Sequence, residues 1–241
     1  MFTSFEEIFE HLRSKSKKRL VAAWAVDDHT INAVRLAIEL GIVEGTLVGD
    51  ENMIKAVCEE EGIDPSIFNI VHNESELKSI AQAVDIINAG EGDILMKGLC
   101  STDKYMRAIL KKEGGLLPPK AVLSHLSVLK NENYHKFIIL GDMGVIPAPD
   151  LKQKEAITNY LVKAAKALGI ETPKVAFIAA TEQMLPGMQA CVDAAILSKM
   201  ADRGQIKGCV ADGPLALDVA ISQEAVAIKK LKSPVAGDAD C

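Results

Sequence analysis

The chain has 241 residues, 49% hydrophobic and 25% charged, with a formal net charge of -6; that is enough for one large domain or two modest ones, and the wrong sign of charge for a surface built to hold nucleic acid. No apolar run approaches the roughly 18 to 20 residues that cross a bilayer, and MFTSFEEIFEHLRSKSKK opens with an acidic amphipathic stretch where a secretion signal carries basic residues, so no membrane association and a cytoplasmic location are expected. Five cysteines (Cys58, Cys100, Cys191, Cys209 and Cys241), odd in number and widely spaced, fit free thiols rather than a disulfide framework or a zinc knuckle.

In chain order, a leading helix precedes RLVAAWA, a buried strand over residues 19–25, and DDHTINAVRLAIELG, a capped helix closing at Gly41. The alternation repeats: GTLVGD as strand, ENMIKAVCEEEG as helix, IFNIVH as strand, ESELKSIAQAVDIINAG as helix and DILMKG as strand. Short apolar strands separated by helices of three or more turns mean βαβ crossovers and a largely parallel sheet. The rhythm breaks at Pro118 and Pro119, because KAVLSHLSVL and YHKFIILGD are joined only by KNEN, too short for a helical crossover and suited to an antiparallel pair. Alternation then resumes with a helix over 150–168, the strand KVAFIAA, a helix over 187–202, a strand around QIKGCVADG, and a last helix through LDVAISQEAVAIKK. The fold class expected is α/β in two domains, mostly parallel sheets with covering helices. The first domain spans 1–128, completed by 234–241, and the second spans 129–233.

ILMKGLCSTDKYMRAIL holds the strongest chemical pattern. It brings Lys97 and Gly98 to the carboxyl end of a strand, where open parallel sheets seat their ligands. Thr102 reads as the N-cap of the next helix, whose first amides favour a phosphate or carboxylate. Lys104, Arg107 and Lys111 recur at helical spacing, and the planar fork of Arg107 suits a phosphate held at the turn. A solvated helix face explains the same charges, and both readings stay open. Cys100 lies in this turn, where a thiolate would be favoured, although phosphate binding does not require it. The spacing is neither that of a nucleotide P-loop nor that of a dinucleotide fingerprint.

Ser124 and His125 interrupt an apolar segment and must find partners there, either as a satisfied core pair or at a ligand. Asp142 stands in the glycine- and proline-rich loop LGDMGVIPAPDLKQK, while Asp150 caps the helix that carries Lys154. Asp212 and Gly213 end a strand ahead of Pro214, read as an early helical position, and Asp238 and Asp240 lie in the closing SPVAGDADC. For these acids a solvated loop is the competing explanation. The histidines show no metal-ligand spacing, and no serine triad follows from spacing.

LMKGLCSTDKYMRAIL, VLSHLSVL, PDLKQKEAI, ALGIETPKVAFIAATEQMLPGM, RGQIKGCVADGPLALDVAIS and SPVAGDAD resemble, in order, the phosphate acetyl/butyryltransferase family, most of all its phosphate butyryltransferase branch. The resemblance implies an isocitrate/isopropylmalate dehydrogenase-like two-domain fold and reversible transfer of a short-chain acyl group, such as butyryl, between coenzyme A and inorganic phosphate. It also implies coenzyme A as substrate, no bound cofactor, no metal, and a homodimer or higher homo-oligomer. On that pattern Lys97, Gly98, Thr102 and Arg107 line the phosphate end with Ser124 and His125 beside them. Asp142, Lys154, Asp212 and Gly213 approach from the second domain, and His125 or Asp238 is the candidate general base. Ile146 stands where relatives commonly carry an asparagine, and relatives continue beyond GDAD. The expectation is therefore a chain lacking a C-terminal segment, with weak or absent activity. The alternatives are a noncatalytic dimerising or ligand-binding homologue and an acyltransferase acting on acyl carrier protein.

Overall fold

In the computed structural model, which describes residues 1–241, the apolar runs of the N-terminal half become four parallel strands. They are β1 (Lys18–Ala23), β2 (Val43–Gly49), β3 (Asn69–His72) and β4 (Ile94–Lys97), in the spatial order β3-β2-β1-β4. After the leading helix α1 (Phe5–Arg13), the connecting helices are α2 (Asp28–Glu39), α3 (Glu51–Glu61) and α4 (Glu76–Asn88), and α5 (Thr102–Leu110) follows β4. Strand alternation divides the core. Leu20, Ala22 and Leu47 pack with Ile31, Val34 and Ile54 of α2 and α3, while Val21, Ala23 and Val48 pack with Ile80 and Ala83 of α4. Asp27 and Asp50 cap α2 and α3 by accepting from amides of their first turns, each worth about 1 kcal/mol. At the start of the sheet Arg19 grips Asp93 through both carboxylate oxygens, tying β1 to the entry of β4.

Residues 8–121 form one compact unit and residues 1–7 with 122–241 a second. In the second, β5 (Leu126–Leu129) and β6 (Ile138–Gly141) pair antiparallel, as the short KNEN link requires. Then come α6 (Leu151–Ala167), β7 (Lys174–Ile178), α7 (Gln189–Asp202) and β8 (Val210–Leu215), with β7 and β8 parallel, and finally α8 (Leu217–Ile221) and α9 (Gln223–Lys229). Asp150 opens α6 with a reciprocal capping box to Gln153.

Four expectations are corrected here. Pro214 lies inside β8 rather than at a helix start, and the helix begins at Leu217. The last helix is two, because Ser222 leaves helical geometry and caps α9 from its hydroxyl. Residues 238–241 bond to the second unit, not the first: the Ile139 amide donates to the Asp240 carbonyl, and the Ala176 amide to that of Cys241. The division between units falls at 121/122, ahead of the antiparallel pair.

Candidate functional site

In the N-terminal unit, β4 delivers Lys97 and Gly98 to the strand's carboxyl end. Gly98 is required by packing, since a Cβ there would stand 2.4 Å from the Trp24 carbonyl oxygen and 2.7 Å from that of Ala23. The Lys97 ammonium turns to the Gly98 carbonyl at 3.4 Å. The helix cap differs from expectation: Ser101 is the N-cap and Thr102 the first helical residue. The Ser101 amide donates at 2.8 Å to the carboxylate of Glu76, which also pairs with Lys104. Glu76 thus supplies, from inside the chain, an anion for this helix start, and the Lys104 and Ser101 donors lower its pKa. Arg107 does not reach back to the turn. Its guanidinium is 79% exposed and pairs with Asp103 one helical turn earlier at 3.0 Å. Burial raises the Cys100 thiol, against which Lys97 acts as a smaller opposing influence, so the turn does not favour a thiolate.

In the C-terminal unit Ser124, His125 and Asp142 converge. Ser124 and His125 precede β5 instead of lying in it, and Asp142 follows β6, so the antiparallel register brings the two ends together. The Asp142 carboxylate accepts the amides of His125 at 3.0 Å and of Gly144 and Val145 at 2.7 Å each, and the Ser124 hydroxyl donates to it as well. Burial opposes ionisation here, yet these four donors outweigh it and hold the carboxyl well below the usual range. Asp142 is therefore turned inward as a positioning group. His125 is left exposed on this locked turn, its Nδ1 side lying over Gly144, where a Cβ would come within 3.3 Å.

The other candidates fall into separate groupings. Lys154 pairs at 2.6 Å with Asp193, which is buried and also held by Gln189. Asp212 accepts the Gly213 amide, and Gly213 is small because a Cβ would meet Phe177 at 2.7 Å. Asp238 meets two lysines and a histidine: Lys174 at 2.6 Å, Lys136 at 3.0 Å and the His135 ring at 2.9 Å. Burial pushes its pKa up, but Lys174 and Lys136 prevail and hold it at about 2, where a carboxylate is a poor base. Lys136, itself buried, adds Asp240 at 2.7 Å. Glu76, Asp193, Gly144 and the cations around Asp238 are the residues that sequence reading missed. Gly144 alone left a local signal, in the loop motif LGDMG. No three His, Cys, Asp or Glu side chains group so as to hold a metal ion, and no helix is long and apolar enough to cross a membrane.

The fold is that of the phosphotransacylases. A branched-chain phosphotransacylase from Enterococcus faecalis V583 superposes with a TM-score of 0.79 at 27% identity, over 92% of this chain and 77% of that one. A phosphotransacetylase from Streptococcus pyogenes gives 0.80 at 18% identity, over 98% of this chain and 80% of that one. The sequence carries the assignment further, because the phosphate acetyl/butaryl transferase model matches residues 3–83 and 76–241. The chain belongs to that family. It is 44% identical over 240 residues to the phosphate butyryltransferase of Clostridium acetobutylicum, covering 100% of this chain and 79% of the relative. It is 40% identical over 238 residues to the phosphate acetyltransferase of Thermotoga maritima, covering 98% and 79%. It is accordingly a phosphate acyltransferase, an enzyme of reversible acyl transfer between coenzyme A and inorganic phosphate, with coenzyme A as substrate.

Proposed function

We propose that His125 is the general base of this reaction and that butyryl-CoA is the acyl donor it serves best. The observation carrying the proposal is the exposed imidazole fixed on a turn whose carboxylate, Asp142, is saturated by four donors. In the direction of thioester synthesis, the coenzyme A sulfur attacks the acyl phosphate carbonyl, His125 takes the thiol proton as the S–C bond forms, and the C–O bond to phosphate breaks. In reverse, a phosphate oxygen attacks the thioester and the proton returns to the departing sulfur. Ser124 and Asp142 position this base. Asp238 is proposed as a clamp instead of a base, and Asp212 and Gly213 as residues shaping the end of β8.

Lys97, Thr102 and Arg107 are proposed to neutralise the phosphate, with Gly98 keeping the backbone close. For Arg107 the proposal requires it to leave Asp103, an exposed pair worth less than about 1 kcal/mol. Lys154 with Asp193 is proposed to border the acyl-binding side. The isocitrate/isopropylmalate dehydrogenase-like arrangement, a homodimer or higher homo-oligomer and a cytoplasmic location complete the reading. An apolar groove of Met184, Leu185, Pro186, Cys191 and Ile196, with Met184 64% exposed, supports the oligomer. Steady-state phosphorolysis of butyryl-CoA tests the chemistry. His125→Gln is expected to lower kcat by about a hundredfold or more. Turnover at the unmodified rate would remove His125 from the mechanism.

A further inference from the structure

The N-terminal sheet reverses its winding between β1 and β4. From β1 the chain moves outward through β2 to β3, and α2 and α3 cover one face through Val34 and Ile54. It then returns to the other side of β1 as β4, and α4 and α5 cover the opposite face through Ile80 and Tyr105. The neighbours β1 and β4 therefore send their following segments to opposite faces, which opens the crevice where a doubly wound sheet seats its ligand.

Trp24, the one tryptophan of the chain, stands at the carboxyl end of β1 beside this crevice. It is half-buried and packs against the core clusters of both faces, so the indole lies across the end of the sheet and in neither layer. Its φ of 54° is the left-handed region, unfavourable for a bulky side chain. Backbone bonds on both sides hold it there. The following amide, of Ala25, donates to Val48 at 3.1 Å, and from the β4 side the Gly98 amide donates to Ala23 at 3.0 Å and the Leu99 amide to Trp24 at 3.1 Å. Strain kept in place this way, at the ligand end of a central strand, points to a use for the side chain. Leu99, bonded to it, is 63% exposed. An apolar ledge thus stands one strand spacing, about 4.8 Å, from the turn that carries Lys97 and Thr102.

We infer that Trp24 and Leu99 seat the acyl chain of the substrate and set the preference for its length. This rests on the assignment of Lys97, Thr102 and Arg107 to the phosphate. Reach decides which part of the substrate the ledge meets. In butyryl phosphate the phosphorus and the terminal methyl are about 6 Å apart at ordinary bond lengths. A phosphoryl group at the turn therefore leaves its acyl carbons beside Trp24, whereas the adenine of coenzyme A lies at the far end of the pantetheine arm. The surface is also of the matching kind, because an indole and an isobutyl group gain by covering methylenes in proportion to the apolar area removed from water.

The emission of the sole tryptophan reports on this seat directly. The protein is titrated with inorganic phosphate, acetyl phosphate, butyryl phosphate and free coenzyme A, while calorimetry follows the binding of each. Butyryl phosphate is expected to shift the emission to the blue, acetyl phosphate to do so less, and inorganic phosphate and free coenzyme A to bind without a shift. Butyryl phosphate that binds and leaves the emission unchanged would overturn the acyl seat alone, as would an equal shift from inorganic phosphate or free coenzyme A. Failure of both butyryl phosphate and inorganic phosphate to bind would overturn the phosphate assignment and the seat with it. In the phosphorolysis assay Trp24→Ala is expected to lower the ratio of kcat/KM for butyryl-CoA over acetyl-CoA by at least about tenfold, with the KM for phosphate kept, and Trp24→Phe to restore most of that ratio. Leu99→Ser, at an exposed position that the core does not need, is expected to lower the same ratio. Folded variants at both positions that keep the parent's ratio would refute the seat.

Discussion

Replacing Asp238 by asparagine separates a clamp from a catalyst. Asp238 is held at about 2 against an ordinary value of 3.8, and a shift of that size corresponds to roughly 2 kcal/mol of stabilisation, its side chain being 30% exposed. The substitution also leaves the Lys136 ammonium, 6% exposed, with Asp240 as its only carboxylate. The expected loss is about 2 to 3 kcal/mol at pH 7, or a fall of roughly 5 to 10 °C in the melting midpoint. Turnover per folded molecule should be kept. Because the folded pKa is depressed, the stabilisation is complete above about pH 4 to 5 and disappears as pH falls through 2, where both states bind the proton. Scanning calorimetry of the parent and Asp238→Asn between pH 7 and pH 2 should therefore show two curves that converge at the acid end. A variant as stable as the parent at pH 7, or a gap that persists at pH 2, would refute the clamp. A variant of unchanged stability that loses turnover would return Asp238 to the candidate bases.

Gly98→Ala places a methyl 2.4 Å from a backbone oxygen that has no side-chain freedom to yield, so a loss of more than about 2 kcal/mol is expected, checked by urea denaturation. Arg107→Ala should change stability by less than about 0.5 kcal/mol, and any phosphate role must then appear as a raised KM for phosphate in the phosphorolysis assay. Asp142→Asn removes the charge that three amides and the Ser124 hydroxyl address. It should cost about 2 kcal/mol in a melting experiment and lower kcat while leaving the KM for butyryl-CoA unchanged.

The order of elements was legible because each is announced within a few residues of itself. VEGTLVG and KVAFI are apolar runs bounded by turns, the Asp27 and Asp50 caps precede their helices directly, and KNEN is too short for anything but a hairpin. What failed did so where local signals tie. Ser101 and Thr102 are both capping types on adjacent positions, and Ser222 sits in a run apolar enough to read as one helix until its hydroxyl ends it. Pro214 suits a first helical turn as well as the strand it occupies.

The site was harder for a related reason: charges can be read locally, but their partners cannot. Asp238 in a glycine-flanked terminal loop looks the same whether it awaits a substrate or a lysine. The groups that decide, His135, Lys136 and Lys174, lie 103, 102 and 64 residues upstream. The helix start at Ser101 looks ready for a phosphate, yet Glu76, 25 residues earlier, already occupies its first amide. A resident carboxylate need not mean that such a position is closed to an external anion. Glu76 is held by one amide and one lysine, so an incoming phosphate competes for two donors. Asp142 is held by four and has none to spare. If the N-terminal turn takes phosphate, Glu76→Gln should lower the KM for phosphate, because the competing charge is gone while the amide and the lysine remain. A raised or unchanged KM would mean that this helix start serves the fold alone.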